Sequence, residues 1–214
     1  MSEPVEFVSE GYRLHGILAC NGSTNKSGVV FLHPHPLYGG DMENHVLTTL
    51  EQVFREQKFA TLRFNFRGTP STPQGYSGIN SAIIDALNAI MFLESHTNVN
   101  DVGLVGYSFG ASTALRLALV KSPSFLVSLS ASRLLVSEDG FDIGQLSNIE
   151  CPVLLFHGTS DQMIPYDDLK KLTEIIKVDP GNCVSLEREG HFYLRTMPLV
   201  ASTTYAFIKK LYHI

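Results

Sequence analysis

The chain has no tryptophan, only three cysteines, and no block of like-charged residues. Cys20, Cys151 and Cys183 are an odd, widely spaced set without a C-x-x-C pair, which argues against a disulfide framework and predicts reduced thiols. Lysine and arginine together number 16 against 21 aspartate plus glutamate, a net charge of −5. With no cluster of cations to follow a phosphate backbone, nucleic acid is not an expected partner. No apolar run approaches the ~20 residues of a membrane-spanning helix, so no membrane span is expected. The first residues carry Glu3 and Glu6 and no apolar stretch, so no secretion signal is expected and the chain reads as cytoplasmic. Asn21-Gly22-Ser23 and Asn25-Lys26-Ser27 fit the glycosylation pattern but, without such a signal, read as a polar loop.

What is present points to a folded enzyme-sized domain. Hydrophobic residues make up 44% and charged residues 17% of 214, enough for a self-sufficient core. No repeat, low-complexity tract or long linker divides the chain, so one domain over 1–214 is expected. Short apolar runs at 28–33, 59–66, 101–107, 125–130, 152–157 and 183–187 predict strands, the first buried on both faces. Between and after them, 43–57, 78–96, 109–120, 166–176 and 192–210 predict helices. Strands separated by helices imply right-handed crossovers and a mostly parallel, doubly wound sheet with helices on both faces. Strands at 5–9 and 12–19, joined by a turn at Glu10-Gly11, are too tightly linked for a crossover and predict an antiparallel edge. Segment 133–150 has no clean period and is too short for a cap domain.

Sites in such a sheet collect at the carboxyl ends of the strands. After 101–107 comes Gly106-Tyr107-Ser108-Phe109-Gly110, a G-x-S-x-G pattern placed between strand and helix, where a nucleophile elbow belongs. The glycines allow strand and helix to approach, and the turn lifts the Ser108 hydroxyl towards the helix N-terminus, where the Phe109 N–H can meet an oxyanion. A serine hydroxyl needs a base. His191, in Gly190-His191-Phe192, follows the last strand; His157 ends a strand and suits loop shaping. The base needs an acid, and Asp161 lies directly after 152–157. Asp139, Asp142, Asp167 and Asp168 are the rivals, the last two at a helix start. The order Ser108, Asp161, His191 is that of α/β-hydrolases. A second oxyanion donor should come from His33-Pro34-His35-Pro36-Leu37-Tyr38-Gly39-Gly40. Prolines 34 and 36 have no N–H, which leaves His35 first and Leu37 second. The His-x-His spacing there could suggest a metal, but no three-ligand set accompanies it, and none is expected. Arg63, Asn65, Arg67 and Gly68, after 59–66, are expected to brace the site.

Through Gly106–Gly110, His157-Gly158-Thr159-Ser160-Asp161 and Gly190-His191-Phe192, the sequence resembles the α/β-hydrolase superfamily. It looks most like a small, lidless branch with the pattern His-Pro-His-Pro-x-x-Gly-Gly-x-Met-x-Asn, here His33 to Asn44, followed by Asn65-Phe66-Arg67-Gly68. The resemblance implies an α/β-hydrolase fold without a cap domain and a serine hydrolase acting on carboxylic esters or thioesters. Ser108, Asp161 and His191 would be its catalytic triad, Phe109 and His35 its oxyanion hole, and Leu37, Tyr38 and Tyr107 its substrate contacts. No cofactor is implied, and an open cleft would accept small molecules or acylated carriers. Pro70 departs from the glycine many relatives carry after Arg-Gly-x. A peptidase of the same fold, or a non-catalytic binding protein, are the competing readings. Nothing marks a peptide pocket, and the retained triad argues against the second.

Overall fold

In residues 29–32 Val29 and Phe31 alternate with Val30 and Leu32, and all four are fully buried, so apolar side chains leave both faces of this strand. The computed structural model describes residues 2–20 and 27–214; the polar stretch 21–26, with most of both Asn-x-Ser patterns, lies outside the described residues. Among the described residues eight strands form one sheet: β1 (Ser2–Ser9), β2 (Tyr12–Ala19), β3 (Ser27–Leu32), β4 (Ala60–Phe64), β5 (Asp101–Tyr107), β6 (Leu126–Leu129), β7 (Val153–Gly158) and β8 (Cys183–Leu186). Their order is β1-β2-β4-β3-β5-β6-β7-β8. β1 pairs antiparallel with β2 and β2 antiparallel with β4, while every other pairing is parallel. The antiparallel edge on a parallel sheet is therefore as the strand spacing predicts.

The helices are α1 (His45–Glu56), α2 (Ile79–Thr97), α3 (Phe109–Val120), the single turn α4 (Arg133–Val136), α5 (Asp167–Ile176) and α6 (Met197–Tyr212). Val29, Phe31, Val105 and Val127 pack with Leu47 and Phe54 of α1 and Val200 and Phe207 of α6 on one face. Val30, Leu32, Leu104 and Leu126 pack with α2, α3 and α5 on the other. The period-2 alternation of the strands thus feeds two cores, one on each face.

Two expected boundaries move for identifiable reasons. The last helix begins at Met197, not at residue 192, because Tyr193 holds a φ of 51° and the Glu189 carboxylate accepts the Arg195 and Thr196 N–H groups at 2.9 and 2.7 Å. Pro198 then fits the first turn, where its missing N–H has no partner to lose. Helix α1 starts at His45, not residue 43, because the Asn44 side chain caps it by accepting from Val46 N–H at 3.0 Å. Segment 133–150 folds as α4 and two short 3₁₀ turns and forms no cap.

The loops after β3 and β4 are tied together. Arg63 donates to the Glu51 carboxylate and the Met42 carbonyl, each at 2.6 Å, and Asn65 Oδ1 accepts from Met42 N–H at 2.8 Å. Arg67 meets the buried Asp85 carboxylate through both its backbone N–H and Nε, at 3.0 and 2.8 Å. Gly68 N–H donates to the Thr72 carbonyl at 2.8 Å and so closes the turn that contains Pro70. His33 is fully buried; Nδ1 donates to the Pro34 carbonyl at 2.6 Å and Nε2 accepts from Phe66 N–H at 2.9 Å, which fixes a neutral tautomer.

Burial pushes the His33 imidazole down to about 4, aided by the neighbouring His35. Between this value and the unfolded value near ~6.5 the unfolded chain binds the extra proton and the native chain does not, so stability rises with pH through that window. Lowering the pH from ~6.5 to ~4 is expected to cost about 3 kcal/mol at this residue alone. A histidine NMR titration should show the His33 ring still neutral at pH ~5; a His33 midpoint near ~6.5 would contradict the assignment.

Candidate active site

Gly106 and Gly110 set the geometry of the strand-to-helix turn. A Cβ on Gly110 would lie 2.0 Å from the Leu32 carbonyl oxygen, and one on Gly106 would lie 2.4 Å from the Gly110 carbonyl oxygen. Only glycine permits α3 to sit this close to β3 and β5. The turn between them places Ser108 at φ 56°, ψ −114°, on the left-handed side that L-residues avoid at a cost of order 1–3 kcal/mol. Phe109 is the first residue of α3, so its N–H has no acceptor within the helix.

The structure brings Ser108, His191 and Asp161 together. Ser108 Oγ lies 3.0 Å from His191 Nε2, and His191 Nδ1 lies 2.8 Å from Asp161 Oδ2. With Nδ1 facing the carboxylate, the ring proton sits there and Nε2 is left to accept from the serine hydroxyl. Both Ser108 and His191 are buried, at 8% and 6% exposure, yet both line the cleft. The Tyr107 hydroxyl donates to the His191 carbonyl at 2.8 Å and so fixes the backbone that carries the imidazole.

Asp161 is the most heavily bonded group of the site. Its side chain is wholly buried, and Oδ1 accepts the Met163 and Ile164 N–H groups, each at 2.9 Å. Oδ2 accepts from His191 and from Ser130 Oγ at 3.1 Å, with His157 Nε2 at 3.4 Å. Burial alone would raise its pKa; the hydrogen bonds from His157, His191 and Ile164 outweigh it and hold the carboxyl far below the usual range. His157 Nε2 also donates to the Ile164 carbonyl at 3.1 Å, which is the loop-shaping part its sequence position suggests. The rival acids are engaged elsewhere: Asp139 with Asn80, Asp142 as a cap on Gly144, Asp167 beside Lys171, and Asp168 with Arg133.

The loop after β3 divides its two candidate donors. The Leu37 N–H is directed to His35 Nδ1 at 3.3 Å, so it is committed within the loop, while His35 is among the residues that line the cleft. His35 and His33 have different partners. His35 Nε2 donates to the Tyr76 hydroxyl at 3.1 Å, its ring packs 4.8 Å from that of Phe109, and burial lowers its pKa. Tyr38 and Tyr107 line the cleft; Leu37 is exposed and lies outside the lining. The cleft holds about 350 Å³.

Four participants are absent from the sequence reading. Tyr76 holds His35 from 41 residues away. Ser130, at φ 49° after β6, reaches Asp161, and the fully buried Tyr193 hydroxyl lies 2.9 Å from Ser130 Oγ and 3.3 Å from the Phe156 carbonyl oxygen. Glu189 shapes the turn that carries His191: burial would raise its carboxyl, but hydrogen bonds from Gly190, Thr196 and Arg195 keep it low. A positive-φ serine directly after a strand is invisible in sequence, but the Glu189-Gly190-His191 spacing offers a local cue for the last of these.

Comparison with known proteins agrees with this architecture. An uncharacterized protein of Rickettsia prowazekii is 29% identical over 161 residues, 75% of this chain and 67% of the relative. An alpha-beta serine hydrolase homologue of Coxiella burnetii superimposes with a TM-score of 0.83 at 26% identity, covering 96% of this chain and 97% of that one. A serine hydrolase without a lid from Xanthomonas campestris gives 0.81 at 19% identity, over 98% and 94% of the two chains. The dienelactone hydrolase family profile matches residues 71–183, more than half of the sequence and the span that includes Ser108 and Asp161. By fold and by this match the chain is an α/β-hydrolase, a hydrolase belonging to the dienelactone hydrolase family.

Proposed function

We propose that the protein hydrolyses carboxylic esters or thioesters through an acyl-enzyme on Ser108. The observation that carries this reading is the unbroken hydrogen-bond chain Ser108 Oγ–His191 Nε2–Asp161 at 3.0 and 2.8 Å, opening on the cleft. In the first half-reaction Ser108 Oγ attacks the acyl carbonyl carbon while His191 Nε2 takes its proton. Asp161, kept ionised by its many donors, stabilises the imidazolium and fixes the ring tautomer. The Phe109 and His35 N–H groups receive the oxyanion of the tetrahedral intermediate. Collapse expels the alcohol or thiol, which takes the proton from His191. In the second half-reaction water attacks the acyl-serine and gives a proton to His191; collapse releases the carboxylic acid, and His191 returns the proton to Ser108 Oγ as it leaves. That the described residues form no cap over the cleft supports acyl groups on small molecules or on larger carriers as substrates.

A fluorophosphonate probe tests the nucleophile. The adduct is expected on Ser108 and lost in Ser108→Ala, with kcat/KM falling at least ~10⁴-fold in that variant and ~10³–10⁴-fold in Asp161→Asn. Labelling of a well-folded protein at another residue, or none, would contradict the proposal.

Tyr76 is a positioning residue in this scheme, acting through His35. Tyr76→Phe removes the hydroxyl that accepts from the imidazole, and the lost bond matters where the oxyanion forms. The expected result is a ~3–10-fold fall in kcat with KM within ~2-fold and an unchanged melting temperature. An equal rise in KM at constant kcat would place Tyr76 in ground-state binding instead.

A further inference from the structure

Fifteen residues line the cleft, and among the described residues none of the fifteen is a lysine, arginine, aspartate or glutamate. The side chains at its mouth are apolar and lie in the open: Tyr38 at 83%, Leu134 at 79%, Met163 at 61% and Phe192 at 57% exposure. They come from four separate places, the segments that follow β3, β6, β7 and β8. Leu37 and Leu194, neighbours of Tyr38 and Phe192 in sequence but outside the lining, are exposed as well. Large apolar side chains gathered from four loops around one cavity, and left exposed by the rest of the described residues, mark a surface that acts when something apolar sits on it.

Two cations near the site in sequence are engaged with carboxylates. Arg133, next to Leu134, donates to Asp168 at 2.8 Å, with Asp167 at 3.9 Å. Arg63 is held by Glu51 and Glu43. Arg195 follows Leu194 but is not part of the lining. The net charge of −5 adds a general bias against anions.

We propose that the site selects esters whose acyl group is uncharged and apolar, seated against Leu134, Met163 and Phe192, and discriminates against acyl groups that end in a carboxylate. This rests on the ester-hydrolase reading of the same site and narrows it. A carboxylate entering the cleft would give up water and find no cation, whereas each methylene laid against the rim removes apolar surface from water.

The test is a matched pair with one leaving group and one acyl length: p-nitrophenyl butyrate and p-nitrophenyl hemisuccinate, each corrected for the rate with the Ser108→Ala protein. The expected kcat/KM for the butyrate exceeds that for the hemisuccinate by ~30-fold or more at neutral pH. From acetate to hexanoate kcat/KM should rise ~2–4-fold per methylene. Leu134→Arg, at an exposed position that the fold does not need, should narrow the butyrate-to-hemisuccinate ratio by ~10-fold. Equal kcat/KM for the pair with Ser108-dependent turnover, or a ratio that Leu134→Arg leaves unmoved, would overturn the proposal while leaving the hydrolase reading intact. No turnover of either ester, together with no fluorophosphonate adduct on Ser108, would overturn both.

Discussion

Backbone meets backbone where α3 crosses the ends of β3 and β5, and the space there excludes any side chain at Gly110 or Gly106. That contact decides where the N-terminus of α3 points and forces the chain through a left-handed residue at Ser108. The geometry of the site follows from it: a hydroxyl lifted off the sheet, a Phe109 N–H beside it with no acceptor in its own helix, and a helix dipole aimed at the same spot. The strain at Ser108 is sustained because the surrounding core is closed on both faces, with Leu32, Leu104, Val105 and Phe109 all fully buried.

The rest of the constellation is a problem of registration between strand ends. Asp161 after β7, Ser130 after β6 and His191 after β8 meet on one carboxylate oxygen, and Tyr193 stands behind Ser130. Parallel pairing of β6, β7 and β8 brings these three loops out at the same edge. A buried carboxylate is costly unless its lone pairs are filled, and here the loop Met163–Ile164 and three side chains fill them. The Asp161 carboxylate is therefore held in charge and in place by the same bonds, so changes to Ser130 or His157 would act on His191 through Asp161.

Much of this was legible in the residues. The limits of β2, β5 and α3 follow directly from apolar runs bounded by Gly, Ser and polar turns. The Ser, Asp and His that converge are each marked by a local pattern at a strand end. What local pattern does not carry is which side chains meet across distance. Tyr76 and His35 are 41 residues apart, and Tyr193 and Ser130 are 63 apart. The late start of α6 has the same origin: its apolar period runs through residues 192–196, but a carboxylate claims two of the N–H groups there and the backbone turns left-handed at Tyr193. That the Leu37 N–H bonds to His35 Nδ1 within its own loop is likewise a detail no spacing rule contains.

In the proposed mechanism Ser108 carries the acyl group between the two half-reactions. Acid quenching of the enzyme during turnover of a p-nitrophenyl ester, followed by peptide mass spectrometry, tests it directly. The expected result is an acyl group on the peptide containing Ser108, formed with a burst of nitrophenolate close to one equivalent of enzyme wherever deacylation is the slower half-reaction. Steady turnover with His191 as base but water attacking directly would leave Ser108 unmodified throughout, and an acyl group found on any other residue would equally contradict it.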